Sequence, residues 1–189
     1  VARVLDVPIA LVSLVDTDRQ WFKSRVGLDA IETPRELAFC AHAIVQTSPM
    51  IVPDATLDER FADNSLVTSN PNIRFYAGVP LRSVSGLSIG TLCAIDSKPR
   101  KLNADEINIL IDLAAVISKE VQMREAMILS QATSELAKKA VETIEARFRT
   151  VFERAGVGIA LVAPDGGWLR VNDALCQIVG YSQDEFVKL

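Results

Sequence analysis

Hydrophobic and polar positions divide the 189-residue chain into two mixed stretches of strand and helix, joined by one long helical pattern. Residues 7–15, Val-Pro-Ile-Ala-Leu-Val-Ser-Leu-Val, form an apolar run rich in β-branched side chains. Such a run predicts a strand buried on both faces. Asp16-Thr17-Asp18-Arg19 is a polar turn, and Gln20 to Val26 then alternates, with Trp21 and Phe22 on opposite faces. Together these predict an antiparallel hairpin. Thr33-Pro34-Arg35-Glu36 has the pattern of a helix start: an N-cap, a proline at the first helical position and a glutamate to close a capping box. The helix predicted over 36–46 carries Leu37, Cys40, Ala41, Ile44 and Val45 as its apolar stripe. A short strand is expected at 50–53 and a short helix within 56–61. Strands at 74–82 and 87–96 form a second hairpin.

Asn103 and Glu106 form another capping-box pair, and neither Gly nor Pro occurs between Asn103 and Ala155. Ile107, Leu110, Ala114, Ile117, Val121, Arg124 and Ile128 recur at alternating spacings of three and four. This seven-residue repeat predicts a homodimer through the long helix, with Leu110, Ala114, Ile117, Val121 and Ile128 in the seam. Arg124 weakens the seam locally. Past Ile128 the stripe moves to Leu129, Ala132 and Leu136, a stutter in the repeat. Beyond that helix, strands are expected at 157–163 and 168–171, then a helix over 172–179 stopped by Gly180. Ser182-Gln183-Asp184-Glu185 opens one more helix. The expected class is α+β: an antiparallel sheet flanked by helices, a long connecting helix and a partial second α/β unit.

Composition narrows the function. A 49% hydrophobic and 23% charged chain is not disordered. A net charge of −4 without a basic cluster argues against nucleic acid. No apolar run reaches the roughly 18–20 residues of a membrane span. The chain opens on Val1 instead of Met, which predicts a piece of a longer protein. Cys40, Cys93 and Cys176 are far apart, and His42 is the single histidine. That excludes a structural zinc site and a secreted disulfide framework, and predicts a cytoplasmic, reduced protein.

Several strings in order carry a family resemblance. They are Arg19-Gln20-Trp21-Phe22-Lys23-Ser24, Phe39-Cys40-Ala41-His42-Ala43-Ile44, Val52-Pro53-Asp54-Ala55, Arg74-Phe75-Tyr76-Ala77-Gly78-Val79-Pro80-Leu81 and Gly90-Thr91-Leu92-Cys93-Ala94-Ile95-Asp96. Residues 1–122 thereby resemble a GAF domain. Phe148-Arg149-Thr150-Val151-Phe152-Glu153, Val171-Asn172-Asp173-Ala174 and Gly180-Tyr181-Ser182 make residues 148–189 similar to the start of a PAS domain. Residues 103–147 then form a signalling helix. The resemblance implies a non-catalytic sensory module of a bacterial signalling protein, of the diguanylate cyclase or histidine kinase type. A small ligand of unknown identity would sit in the GAF pocket, and the helix would relay its presence to an output domain. No cofactor follows from the sequence.

The candidate ligand-binding residues are Trp21, Phe39, Cys40, His42, Arg74, Tyr76 and Cys93. The aromatics could hold a planar molecule, and Arg74 could grip an anionic group. As residues alone, Cys40 and Cys93 also fit small buried hydrophobes. Two alternatives remain: a GAF-type thiol reductase using Cys40 and Cys93, or a dimerisation module without a ligand. Asp105-Glu106 lacks the Asn-Lys partner of cyclic-nucleotide GAF domains, and suits a helix first turn. Asp54, Asp58, Glu59 and Asp63 fit turns and ion pairing with Arg60 better than a cation site. Asn172 is expected to hydrogen-bond the backbone at a strand-to-helix turn.

Overall fold

The computed structural model describes residues 1–186. The chain forms two compact units, residues 1–128 and 129 onward. The fold is α+β. In the first unit, six antiparallel strands lie in the order β3-β2-β1-β6-β5-β4. These are β1 (Ile9–Val15), β2 (Arg19–Val26), β3 (Glu32–Pro34), β4 (Met50–Val52), β5 (Phe75–Arg82) and β6 (Ser88–Asp96). Two short helices, α1 (Phe39–Ala43) and α2 (Ser65–Thr68), lie between them in sequence.

Strand alternation sends side chains to two separate cores. Ile9 and Leu11 of β1, Phe22 of β2, Tyr76 of β5, and Cys93 and Ile95 of β6 pack on the front face with Phe39, Cys40 and Phe61. Phe75, Ala77, Val79 and Leu81 of β5, with Leu92 and Ala94 of β6, pack on the back. Central strands covered on both faces need apolar residues at nearly every position, which explains the unbroken runs in the sequence. The back face is closed by the start of α3 (Ala104–Arg154), through Leu110 and Ala114. The expected capping box opens this helix. The Asn103 side chain accepts from the Glu106 backbone N–H at 2.9 Å, and Glu106 accepts from the Asn103 backbone N–H at 2.8 Å.

Three local expectations are corrected. No helix starts at Thr33: Glu32–Pro34 is an edge strand paired with Arg19–Trp21, fixed by an Arg19–Glu32 ion pair at 2.7 Å. A residue before proline disfavours the α region, so Thr33 takes its place in the sheet. A single 3-10 turn at Arg35–Leu37 follows, and α1 begins only at Phe39, leaving Val45 exposed. The short helix expected within 56–61 lies instead at α2, where the Asn64 side chain caps the Leu66 N–H at 2.8 Å. Lastly, Leu110 and Ala114 are buried against their own sheet, with Ile117 packed beside them. They are therefore not free to form a dimer seam. Val121 is half-buried, and Ile128 is exposed.

The second unit contains β7 (Ala160–Val162) paired antiparallel with β8 (Trp168–Val171), then α4 (Asp173–Val179) and α5 (Gln183–Phe186). Gly180 ends α4 in the left-handed conformation at φ 84°. Asn172, fully buried, organises this unit. Its oxygen accepts from Ile159 N at 2.8 Å and Leu175 N at 3.0 Å. Its nitrogen donates to Phe152 O at 2.9 Å and Val157 O at 3.0 Å. One amide thus joins the end of α3, the following loop and the start of α4.

Candidate functional site

A cavity of about 390 Å³ opens on the front face of the six-stranded sheet. Its floor is Ile9, Leu11, Gln20, Phe22, Tyr76 and Ile95, and its far wall is Ala38, Phe39 and Cys40. Leu28, Asp29 and Ala30, between β2 and β3, contribute to the lining, as do Leu66 of α2 and Asn70, Pro71 and Ile73 after it. The floor residues share one face because strand side chains alternate. Most of the lining is hydrocarbon or aromatic, the usual character of a small-molecule pocket.

Gln20 is the exception. It is 4% exposed, lines the cavity, and its Oε1 has no hydrogen-bond partner among the described residues. A buried amide oxygen left unpaired costs about 1–3 kcal/mol. Among the described residues Asp29 is the one charged residue of the lining, and no Lys, Arg or His belongs to it.

A sulfur and hydroxyl cluster lies behind the wall. Cys40 Sγ is 3.9 Å from Cys93 Sγ, and Tyr76 donates its hydroxyl to Cys40 Sγ at 3.3 Å. Ser13 and Thr91 share a hydroxyl hydrogen bond of 3.0 Å between β1 and β6. Gly78 makes room for this arrangement: a Cβ there would stand 2.1 Å from the Tyr76 hydroxyl. Burial raises the Cys40 thiol, but hydrogen bonds from Cys93, Ser13, Thr91 and Tyr76 outweigh it and lower the thiol to about 6. Hydrogen bonding to Cys40, together with burial, pushes Cys93 well up. The pair therefore favours one thiolate, on Cys40.

Phe39, Cys40 and Tyr76 of the expected set line the cavity, and Cys93 stands directly behind Cys40. The other three do not. Trp21 is on the opposite face of β2 from Phe22, 36% exposed, with the Lys23 ammonium 5.5 Å over its ring. His42 is exposed on α1, edge-on to Phe61 at 4.9 Å. Arg74 turns its guanidinium to backbone carbonyls, donating to Val67 O at 2.8 Å and Ile73 O at 3.0 Å. It grips the chain, not a ligand. Gln20 and Phe22 were open to sequence reasoning, since both fall on the buried face of an alternating strand, and a polar residue there is a signal.

The acidic loop behaves as expected of turns. Asp54 accepts from the Thr56 hydroxyl at 2.7 Å, and Asp58 pairs with Arg60 at 2.6 Å. Among the described residues no group of three or more His, Cys, Asp or Glu could hold a metal.

Residues 1–121 match the family model for the GAF domain. The chain belongs to the GAF domain family. Residues 146–188 match a PAS domain model. A cyclic di-GMP phosphodiesterase of Pseudomonas aeruginosa is 54% identical over 93 residues, 49% of this chain and 16% of that protein. "Probable diguanylate cyclase DgcE" of Escherichia coli is 46% identical over 48 residues, 25% of this chain and 4% of that protein. The matches thus span a small part of either relative. Among solved structures, the GAF domain of an Acinetobacter phosphoenolpyruvate-protein phosphotransferase aligns with TM-score 0.53 at 17% identity, covering 67% of this chain and 77% of that one. A free methionine-R-sulfoxide reductase of Neisseria meningitidis aligns with TM-score 0.52 at 22% identity, over 66% and 74% of the two chains. These likenesses establish the fold. The GAF match followed by the PAS match, with relatives named as a cyclic di-GMP phosphodiesterase and a diguanylate cyclase, makes this chain a sensory module of the signalling type.

Proposed function

We propose that the GAF domain senses a small molecule with an apolar body, neutral or cationic, that offers a hydrogen-bond donor to Gln20. The observation that carries this reading is the unpaired, buried Gln20 Oε1 beside a 390 Å³ cavity. A fold rarely keeps an orphan acceptor unless something else satisfies it. Among the described residues the lining supplies no cation to neutralise a phosphate, so cyclic nucleotides and dinucleotides suit it poorly.

The shared sheet supports a relay. The cavity floor and the α3 contact are opposite faces of β5 and β6, so a shift of these strands on binding moves the bed on which Leu110 and Ala114 lie. In this reading residues 1–122 sense, 103–147 relay and 148–189 begin the PAS domain; 187–189 lie outside the described residues. The chain has no catalysis of its own and biases a cyclic di-GMP-type output in a longer cytoplasmic protein. Its free thiols suit a reducing compartment. Among the described residues no helix is long and apolar enough to cross a membrane.

Dimerisation moves to residues that the sheet leaves free. Val116, Met123 and Met127 are exposed on the first part of α3. Val141, Ile144, Phe148 and Val151 are exposed on its later part at spacings of three, four and three. That spacing suits a two-stranded coiled coil with a second copy.

Native mass spectrometry of freshly purified protein tests the ligand reading. The wild type is expected to carry a small-molecule adduct that Gln20→Leu loses. Bare mass in both would count against a ligand.

A further inference from the structure

We propose that Cys40 and Cys93 form a peroxide-reactive pair, with Cys40 as the attacking thiol and Cys93 as the resolving thiol. This goes beyond ligand sensing and requires only that a peroxide reach the cavity wall.

Three observations assign the roles. The sulfurs are 3.9 Å apart, so bonding at about 2.05 Å needs them to close by about 1.9 Å. Cys40 lines the cavity and Cys93 does not, so an oxidant entering the cavity meets Cys40 first. The surroundings are also polar: the Tyr76 hydroxyl lies 3.3 Å from Cys40 Sγ, and the Ser13–Thr91 hydroxyl pair belongs to the same buried cluster behind the wall. Buried thiols packed only in hydrocarbon are inert, whereas donors around a sulfur stabilise the thiolate, the reacting form. The lowered Cys40 and raised Cys93 thiols agree with that order.

The chemistry balances with hydrogen peroxide as oxidant. The Cys40 thiolate attacks one peroxide oxygen and the O–O bond breaks. The departing hydroxide takes a proton and leaves as water, and the sulfur is oxidised to a sulfenic acid. Cys93 sulfur then attacks the Cys40 sulfur. The S–O bond breaks, and the hydroxyl leaves with the Cys93 proton as a second water. Two thiols and one peroxide become one disulfide and two waters. A dithiol reductant reverses the bond by exchange. The disulfide would tie α1 to the sheet at β6, directly behind the ligand cavity.

The test uses the whole chain with Cys176→Ser, which removes the third thiol. After brief hydrogen peroxide, the protein is quenched, unfolded and alkylated, then weighed. Both remaining alkylatable thiols should be lost and then recovered with dithiothreitol. In a Cys93→Ser background, dimedone should label Cys40; with Cys40→Ser, Cys93 should stay unlabelled. Full alkylation of both thiols after peroxide would overturn the proposal. So would dimedone labelling of Cys93 in the Cys40→Ser chain. The test is run on ligand-free protein, its bare mass checked beforehand, so ligand sensing can fail on its own.

Discussion

Asn172 uses both ends of its amide, accepting two backbone N–H groups and donating to two carbonyls in a fully buried position. Asn172→Ala leaves those groups without partners, and the unpaired ones stay away from water. The expected loss is about 2–4 kcal/mol for the second unit. Hydrogen exchange should show faster opening of Ala160–Val162 and Trp168–Val171 and unchanged protection of Ile9–Val15. Cys40 is the second residue whose surroundings make a measurable statement. Its thiol is lowered from 9.0 to about 6, so below pH 6 the protein holds the unreactive thiol and above it the thiolate. Alkylation by iodoacetamide, followed at Cys40 in the Cys176→Ser chain, should rise through pH 6 and level off by pH 7–8. A rate still climbing between pH 8 and 9 would mean an ordinary thiol.

At the scale of elements, α3 has two apolar uses that a single stripe in sequence merges. Leu110 is 1% exposed in the back core, so Leu110→Ala should cost about 3 kcal/mol of stability and leave association unchanged. Val141 and Ile144, 63% and 67% exposed, should do the reverse. Lysine at both should yield monomers in sedimentation and leave the melting of the sheet in place. A doubly substituted chain that stays dimeric would put the contact elsewhere. Why the repeat misled is physical: a spacing of three and four describes any amphipathic helix face, whether it meets a sheet or a partner helix. The helix start at Thr33 failed for a related reason. Capping residues state a local preference, and pairing of Glu32–Pro34 with β2 overrode it. The Asn103–Glu106 capping box had no such competitor and formed as read.

Across the whole molecule, the order of hairpins, the long helix and the second small sheet were legible because period-two and seven-residue patterns are local. Which candidate residues converge was less so. Phe39, Cys40 and Tyr76 meet at one cavity, while Trp21 faces away and Arg74 is consumed by backbone carbonyls. Residue type alone favoured the large aromatic and the free cation, but the strand's alternation decides which face a side chain serves. Gln20, one position from Trp21, is the residue on which the ligand reading rests. Its oxygen is buried and unpaired in the fold, so the fold should be more stable without it. The decisive measurement is the melting temperature of ligand-free Gln20→Leu against wild type. A rise of about 2–4 °C is expected, from about 1 kcal/mol of relieved desolvation. A fall would show that the fold itself uses the Gln20 amide, and would contradict a site kept open for a ligand.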